Sequence, residues 1–157
     1  MRYILALIIV TMVAATSVFM HAQAPAAPAA PPVPVSHVTF VDHEQVAAAL
    51  AKGGTLVGAS DVIVQGSHRD KPGGVEVHDH EMDVLYVIDG TATFVTGGKM
   101  VGGKNTRPGQ WLGTDITGGK AQQLAKGDVI VVPAGTPHWF KDVPSTISYF
   151  VVKVIKP

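Results

Sequence analysis

The chain has 157 residues, with 12 Lys and Arg balanced by 12 Asp and Glu, seven His and no cysteine. Its isoelectric point is near 7.1 and its mean hydropathy is +0.27. With no run of either sign, the charge excludes the clustered basic surface that nucleic acid or an anionic membrane needs. The missing cysteines exclude disulfides and a lipid-modified cysteine anchor, so the core must hold by packing alone.

Residues 1–24 read as a secretory signal. Arg2 leads the apolar run Tyr3 to Phe19, and the small residues of His21-Ala22-Gln23-Ala24 follow. A retained anchor competes with this reading, because about 17 apolar residues is the lower edge of a membrane span. The Ala-x-Ala pattern favours cleavage, after Ala24 or, given Pro25, after Ala22. The expectation is a periplasmic or secreted protein with no membrane attachment after cleavage. Residues 25–36 are almost all Ala, Pro and Val, a composition that favours extended, polyproline-like conformers and reads as a linker. Residues 37–157, about 120, suit one domain with one core.

Asp42 with Gln45 three positions on resembles a helix cap, Val46 to Ala51 are helix formers, and Gly53-Gly54 ends the segment. One short helix is expected there, its Ala-rich face on the mouth or edge of a barrel. After Gly54 the pattern turns extended: Thr55 to Val57, Asp61 to Gly66, Gly74 to His80, Asp83 to Ile88, Thr91 to Thr96, Gln122 to Leu124, Asp128 to Val132, His138 to Lys141 and Ile147 to Ile155. Short β-branched runs between Gly, Pro, Asp and Asn predict an all-β sandwich or barrel, and nothing after Gly54 supplies the crossover helices of a parallel sheet. Asp89-Gly90 is a tight-turn signal. Asp128 to Val132, without polar alternation, predicts a strand covered on both faces, and Tyr149 to Ile155 is apolar but for Lys153. Gly97 to Ala121 carries two Thr-Gly-Gly-Lys copies, yet no helix follows to make a phosphate loop. It reads as a long loop or Gly-turned hairpin, with Trp111 placed to cover a pocket or an interface.

The chemistry concentrates in Gly74 to Gly90 and Gly127 to Asp142. Strand parity puts His78 and His80 on one face, and Asp83 on the next strand brings a carboxylate oxygen. Imidazole and carboxylate together suit a divalent ion. In the second stretch, Pro133-Ala134-Gly135-Thr136 forms a turn and Pro137 presets an extended entry, so backbone geometry holds His138. Phe140 shares the inward face of His138, whereas Val84 and Tyr86 face away from Asp83. His21, His37, His43 and His68 fall at the signal, the helix flanks and a polar turn, and are expected at the surface.

Both stretches resemble the two motifs of the cupin family, small double-sheet jelly-roll barrels. Gly127, Pro133, Gly135 and His138 match the second motif, with Asp142 where Asn is usual. Gly73 or Gly74, His78, His80 and Gly90 match the first, with Asp83 in place of Glu and a short gap from His80. The resemblance implies a double-stranded β-helix with one short N-terminal helix, and one divalent metal ion (Mn, Fe, Ni, Cu or Zn) held by His78, His80, Asp83 and His138. The short gap leaves Asp83, Glu81 or neither as the carboxylate ligand, with Glu81 the candidate acid or base. A His80 turned outward would leave His78, His138 and a carboxylate. Phe140 and Trp111 are the expected pocket residues. The implied function is metal-dependent action on a small-molecule substrate, dioxygenase-like or isomerase-like. The alternative is a non-catalytic small-molecule binder with a degenerate metal site, and a homodimer is expected in either case.

Overall fold

The computed structural model describes residues 33–156; the signal reading and most of the linker reading lie outside the described residues. One helix, α1 (His43–Lys52), precedes twelve strands. Asp42 caps it, accepting from the Gln45 amide at 2.8 Å, and Gly53 ends it at φ 77°. Among the described residues no helix is long and apolar enough to cross a membrane.

The strands are β1 (Gly54–Gly58), β2 (Val62–Arg69), β3 (Val75–His78), β4 (Glu81–Thr96), β5 (Lys99–Val101), β6 (Lys104–Arg107), β7 (Gln110–Gly113), β8 (Asp115–Thr117), β9 (Lys120–Ala125), β10 (Val129–Val132), β11 (His138–Asp142) and β12 (Ile147–Ile155). Ten of them form one curled antiparallel sheet in the order β1-β2-β12-β4-β11-β3-β7-β6, with β9 and β10 also pairing with β4. The double-stranded β-helix expected from the motifs is therefore the fold.

β4 is the hinge of the barrel. Its first half pairs with β10 and β12 and its second half with β9 and β11. Asp89-Gly90 is accordingly a corner within one 16-residue strand rather than a hairpin turn. Gly90 has φ 83°, and any side chain there would collide with the Thr146 carbonyl, so the strand crosses from one half of the barrel to the other where only glycine fits.

Inward residues of both halves build the core: Leu85, Val87, Phe94, Leu124, Phe140 and Ile147 are buried. Phe94 and Phe140 meet edge-on at 4.6 Å, Phe140 stacks on Tyr149 at 4.9 Å, and Phe94 reaches His138 at 6.1 Å. Each buried Phe contributes roughly 1.5–3 kcal/mol, so the row that leads to the site also anchors the fold.

Two open alternatives resolve and one expectation changes. Of the mouth and the edge, the helix takes the edge, lying on the outer face of β2 beside the edge strand β1: Gly66 faces the Ala49 backbone so closely that a Cβ would come within 2.8 Å. β10 is covered on one face only, with Val129 62% and Val131 52% exposed; apolar residues there form an outer surface instead of a buried layer. The Gly97 to Ala121 stretch takes the hairpin form with glycine turns, β5 pairing with β8, and β6 and β7 extending the sheet beside β3.

Candidate metal centre

Four strands aim side chains at one point inside the barrel. β3 supplies Glu76 and His78, β4 supplies Glu81 and Asp83, β11 supplies His138, and β12 supplies Lys153. Register explains the meeting: His138 sits opposite Glu76, and Lys153 opposite Asp83. The Gly135 amide donates to the His78 carbonyl at 2.7 Å, so the Pro133 to Thr136 turn is tied to the end of β3 and holds the two histidines together. Their rings lie 5.0 Å apart.

Each histidine is fixed by its outer nitrogen. His78 Nδ1 is 2.6 Å from Gln110 Oε1, a cross-strand neighbour on β7, and His138 Nδ1 is 3.0 Å from the Thr136 carbonyl. An Nδ1–H donated outward leaves Nε2 bare and pointing inward, the arrangement that orients metal-binding imidazoles. His78 Nε2 lies 3.4 Å from Asp83 Oδ2 and 3.5 Å from Glu76 Oε2, and His138 Nε2 lies 3.7 Å from Asp83 Oδ2. Ligand atoms at ~2.1 Å from a tetrahedral ion stand roughly 3.4 Å from one another, close to the spacing His78 Nε2 keeps with both carboxylates, and two overlapping groups could hold an ion: Glu76, His78 and His138, and His78, Glu81 and Asp83. Glu81 Oε2 is buried without a hydrogen bond, a further oxygen that a cation would satisfy.

A cation of the chain itself is already there. Lys153 Nζ is 2.9 and 3.0 Å from the Asp83 oxygens, 3.0 Å from His78 Nε2 and 3.0 Å from Glu81 Oε2, the last off the hydrogen-bond direction. The donor set fits a divalent ion once this ammonium turns aside.

These contacts set the protonation states. Burial acts most strongly on His78 and lowers its pKa, as does the Lys153 charge, but the hydrogen bond and charge of Asp83 together with the Gln110 hydrogen bond carry the net direction up. Neutral His78 accepts from Lys153; protonated His78 donates to Asp83. Burial and the nearby His78 charge pull His138 below its ordinary value, against the Thr136 carbonyl and the carboxylates. For Asp83 burial raises the pKa, but the His78 hydrogen bond and the Lys153 charge bring it below the ordinary 3.8.

A cavity of about 210 Å³ opens beside the cluster, walled by Glu76, Asp83, His138 and Lys153 on one side and by Gln65, Ser67, Arg69 and Tyr149 on another. Arg69 Nε donates to Tyr149 Oη at 3.0 Å, and the guanidinium lies 4.8 Å over the Phe140 ring. Burial raises the Tyr149 pKa, with Arg69 opposing, so the phenol stays a neutral donor.

Of the residues singled out in the sequence, His78, Asp83 and His138 converge, Glu81 joins them, and Phe140 lines the cavity. His80 does not: β3 ends at His78, the chain bends at Asp79, and His80 is exposed. Strand parity fails there because no strand continues through it. Trp111 is also outside the cavity, its Nε1 donating to Asp79 at 3.0 Å. Glu76, Gln110, Lys153 and Arg69 are residues the sequence reading passed over. Glu76-x-His78 takes the inward pair of positions, and from His78 four residues separate it from Asp83. The gap that is short from His80 is thus two residues longer.

The family model described as Cupin matches residues 61–157. The chain belongs to the cupin family. Its fold is similar to that of BH2720 from Bacillus halodurans, at TM-score 0.56 and 15% identity over 80% of this chain and 87% of that one. It is also similar to the cupin domain of Cnp3 from Schizosaccharomyces pombe, at TM-score 0.50 and 10% identity over 67% of this chain and 64% of that one. No curated protein sequence matches this cupin.

Proposed function

We propose that this cupin holds one divalent metal ion through His78, His138, Asp83 and Glu76 and acts on a small organic anion bound in the barrel. One observation carries the reading: the Nε2 atoms of His78 and His138 converge on Asp83 with both Nδ1 atoms tied back. Mn, Fe, Ni, Cu and Zn all accept such nitrogen and oxygen donors. When bound, the ion would polarise a carbonyl or enol oxygen, the chemistry shared by dioxygenase-like and isomerase-like reactions. The chain's own residues do the rest. Arg69 and Tyr149 present hydrogen-bond donors to a carboxylate, Phe140 and Leu85 exclude water, and Glu81, behind Lys153 and outside the cavity wall, would act as acid or base only through the groups it touches.

Export and pairing complete the proposal. The Arg2-led apolar segment and Ala22-Gln23-Ala24 support a periplasmic or secreted protein. The outer surface of Tyr86, Val129 and Val131 supports an isologous homodimer. The test is metal analysis of the wild type and of a His78→Ala/His138→Ala variant. One ion per chain in the first and none in the second is the expected result. A wild type that takes up none of the five ions, with an unchanged Tm, overturns it. A non-catalytic small-molecule binder is the second reading, favoured by one observation: Lys153 stands where the ion would be.

A further inference from the structure

Lys153 is the one charged residue in the inward series Ile147, Tyr149, Val151, Lys153 of β12. Its ammonium contacts Asp83, His78 Nε2 and Glu81 within 3.0 Å, and two of these groups belong to the donor set for the ion. A divalent ion ~2 Å from the same carboxylate and imidazole would sit almost on top of the ammonium, and two cations at that separation repel strongly in a partly buried site.

We infer that Lys153 is a tethered competitor for the metal site, so that ion entry requires its ammonium to swing out. The inference rests on the metal reading above. The cavity of about 210 Å³ that Lys153 also lines gives the side chain somewhere to go. Three consequences follow from the contacts. The ion-free site stays charge-compensated and folded, because the ammonium satisfies Asp83. The ion is held more weakly than two imidazoles and two carboxylates alone would hold it. Ions that bind nitrogen and oxygen donors more strongly displace the lysine first.

The experiment titrates Co²⁺ into chelator-treated wild type, Lys153→Met, Lys153→Gln and Lys153→Arg, following heat and the visible absorption of the coordinated ion. The neutral variants are expected to bind at least tenfold more tightly than the wild type, and Lys153→Arg no more tightly. A wild type and neutral variants that bind equally overturn the competitor role and leave the metal reading standing. A wild type that binds nothing while the neutral variants bind supports the competitor role and overturns the metal reading for the natural chain. No binding by any of them overturns both. If Lys153→Met unfolds without metal, its Co²⁺-induced rise in Tm, compared with that of the wild type at the same ion concentration, makes the same discrimination.

Discussion

The pair Lys153–Asp83 offers a stability measurement independent of any ligand. Asp83 is 5% exposed and the Lys153 side chain 14%, and they face each other across β12 and β4. Removing one partner of a buried ion pair costs about 3–5 kcal/mol, because the other charge stays buried without compensation. His78 can take a proton and donate to Asp83, which puts Lys153→Met at the lower end, about 3 kcal/mol. In a domain of this size each kcal/mol moves Tm by about 3–6 °C, so the loss is about 9–18 °C. Asp83→Asn leaves the ammonium with Glu81 and should cost less, about 1–2 kcal/mol. The double variant removes both charges and should be more stable than the sum of the single losses by about 1.5 kcal/mol or more. Urea titrations of the four chelator-treated proteins give these values. A Lys153→Met variant within about 0.5 kcal/mol of wild type, or strictly additive losses, would show that the ammonium does not neutralise the carboxylate.

Other outcomes follow from single contacts. His80→Ala should keep the metal stoichiometry that His78→Ala abolishes; equal loss in both would place His80 in the site. Arg69→Met should weaken binding of small carboxylates such as succinate about 10- to 100-fold by calorimetry, the value of a charge-assisted hydrogen bond; unchanged affinity would move the anion elsewhere. Gly66→Val should displace α1, since its Cβ would meet the Ala49 backbone at 2.8 Å, and cost about 1–3 kcal/mol with faster proteolysis of residues 43–52. The Asp83 pKa is lowered on folding, so its contribution is complete above about 3.8 and is lost as pH falls from there toward the folded value. Metal-free wild type should therefore lose stability more steeply below pH about 4 than Asp83→Asn does; parallel acid profiles would refute the assignment.

The fold was legible where local rules and burial agree. The Asp42 cap, the Gly53 stop and the turn at Pro133 to Thr136 are local devices, and each formed as its residues dictate. Period-two alternation located most strands because one face is buried. It misled where an apolar run was taken to mean burial on both sides: Val129 and Val131 point outward beside the exposed Tyr86. Asp89-Gly90 misled for a related reason. Glycine at positive φ marks any sharp change of direction, and no local signal separates a hairpin from a corner within one strand; the Thr146 carbonyl that makes the corner is 56 positions further along the chain.

The site shows the same divide between local pattern and register. His-x-His is the conspicuous pair, but a strand's parity holds only as far as the strand, and β3 stops at His78. Counting inward positions back from that end gives His78 and then Glu76, a residue less conspicuous than histidine and equally able to bind a cation. The same counting on β12 runs through Ile147, Tyr149 and Val151 to Lys153, whose charge looks like an interruption of an apolar strand until the face it occupies is known. A lone lysine at an inward position of a strand needs a counter-charge, and Asp83 lies directly opposite. The acidic residue and the lysine therefore form one feature: Asp83 is buried because Lys153 accompanies it, and a divalent ion entering the site would contend with Lys153 because both would seek Asp83.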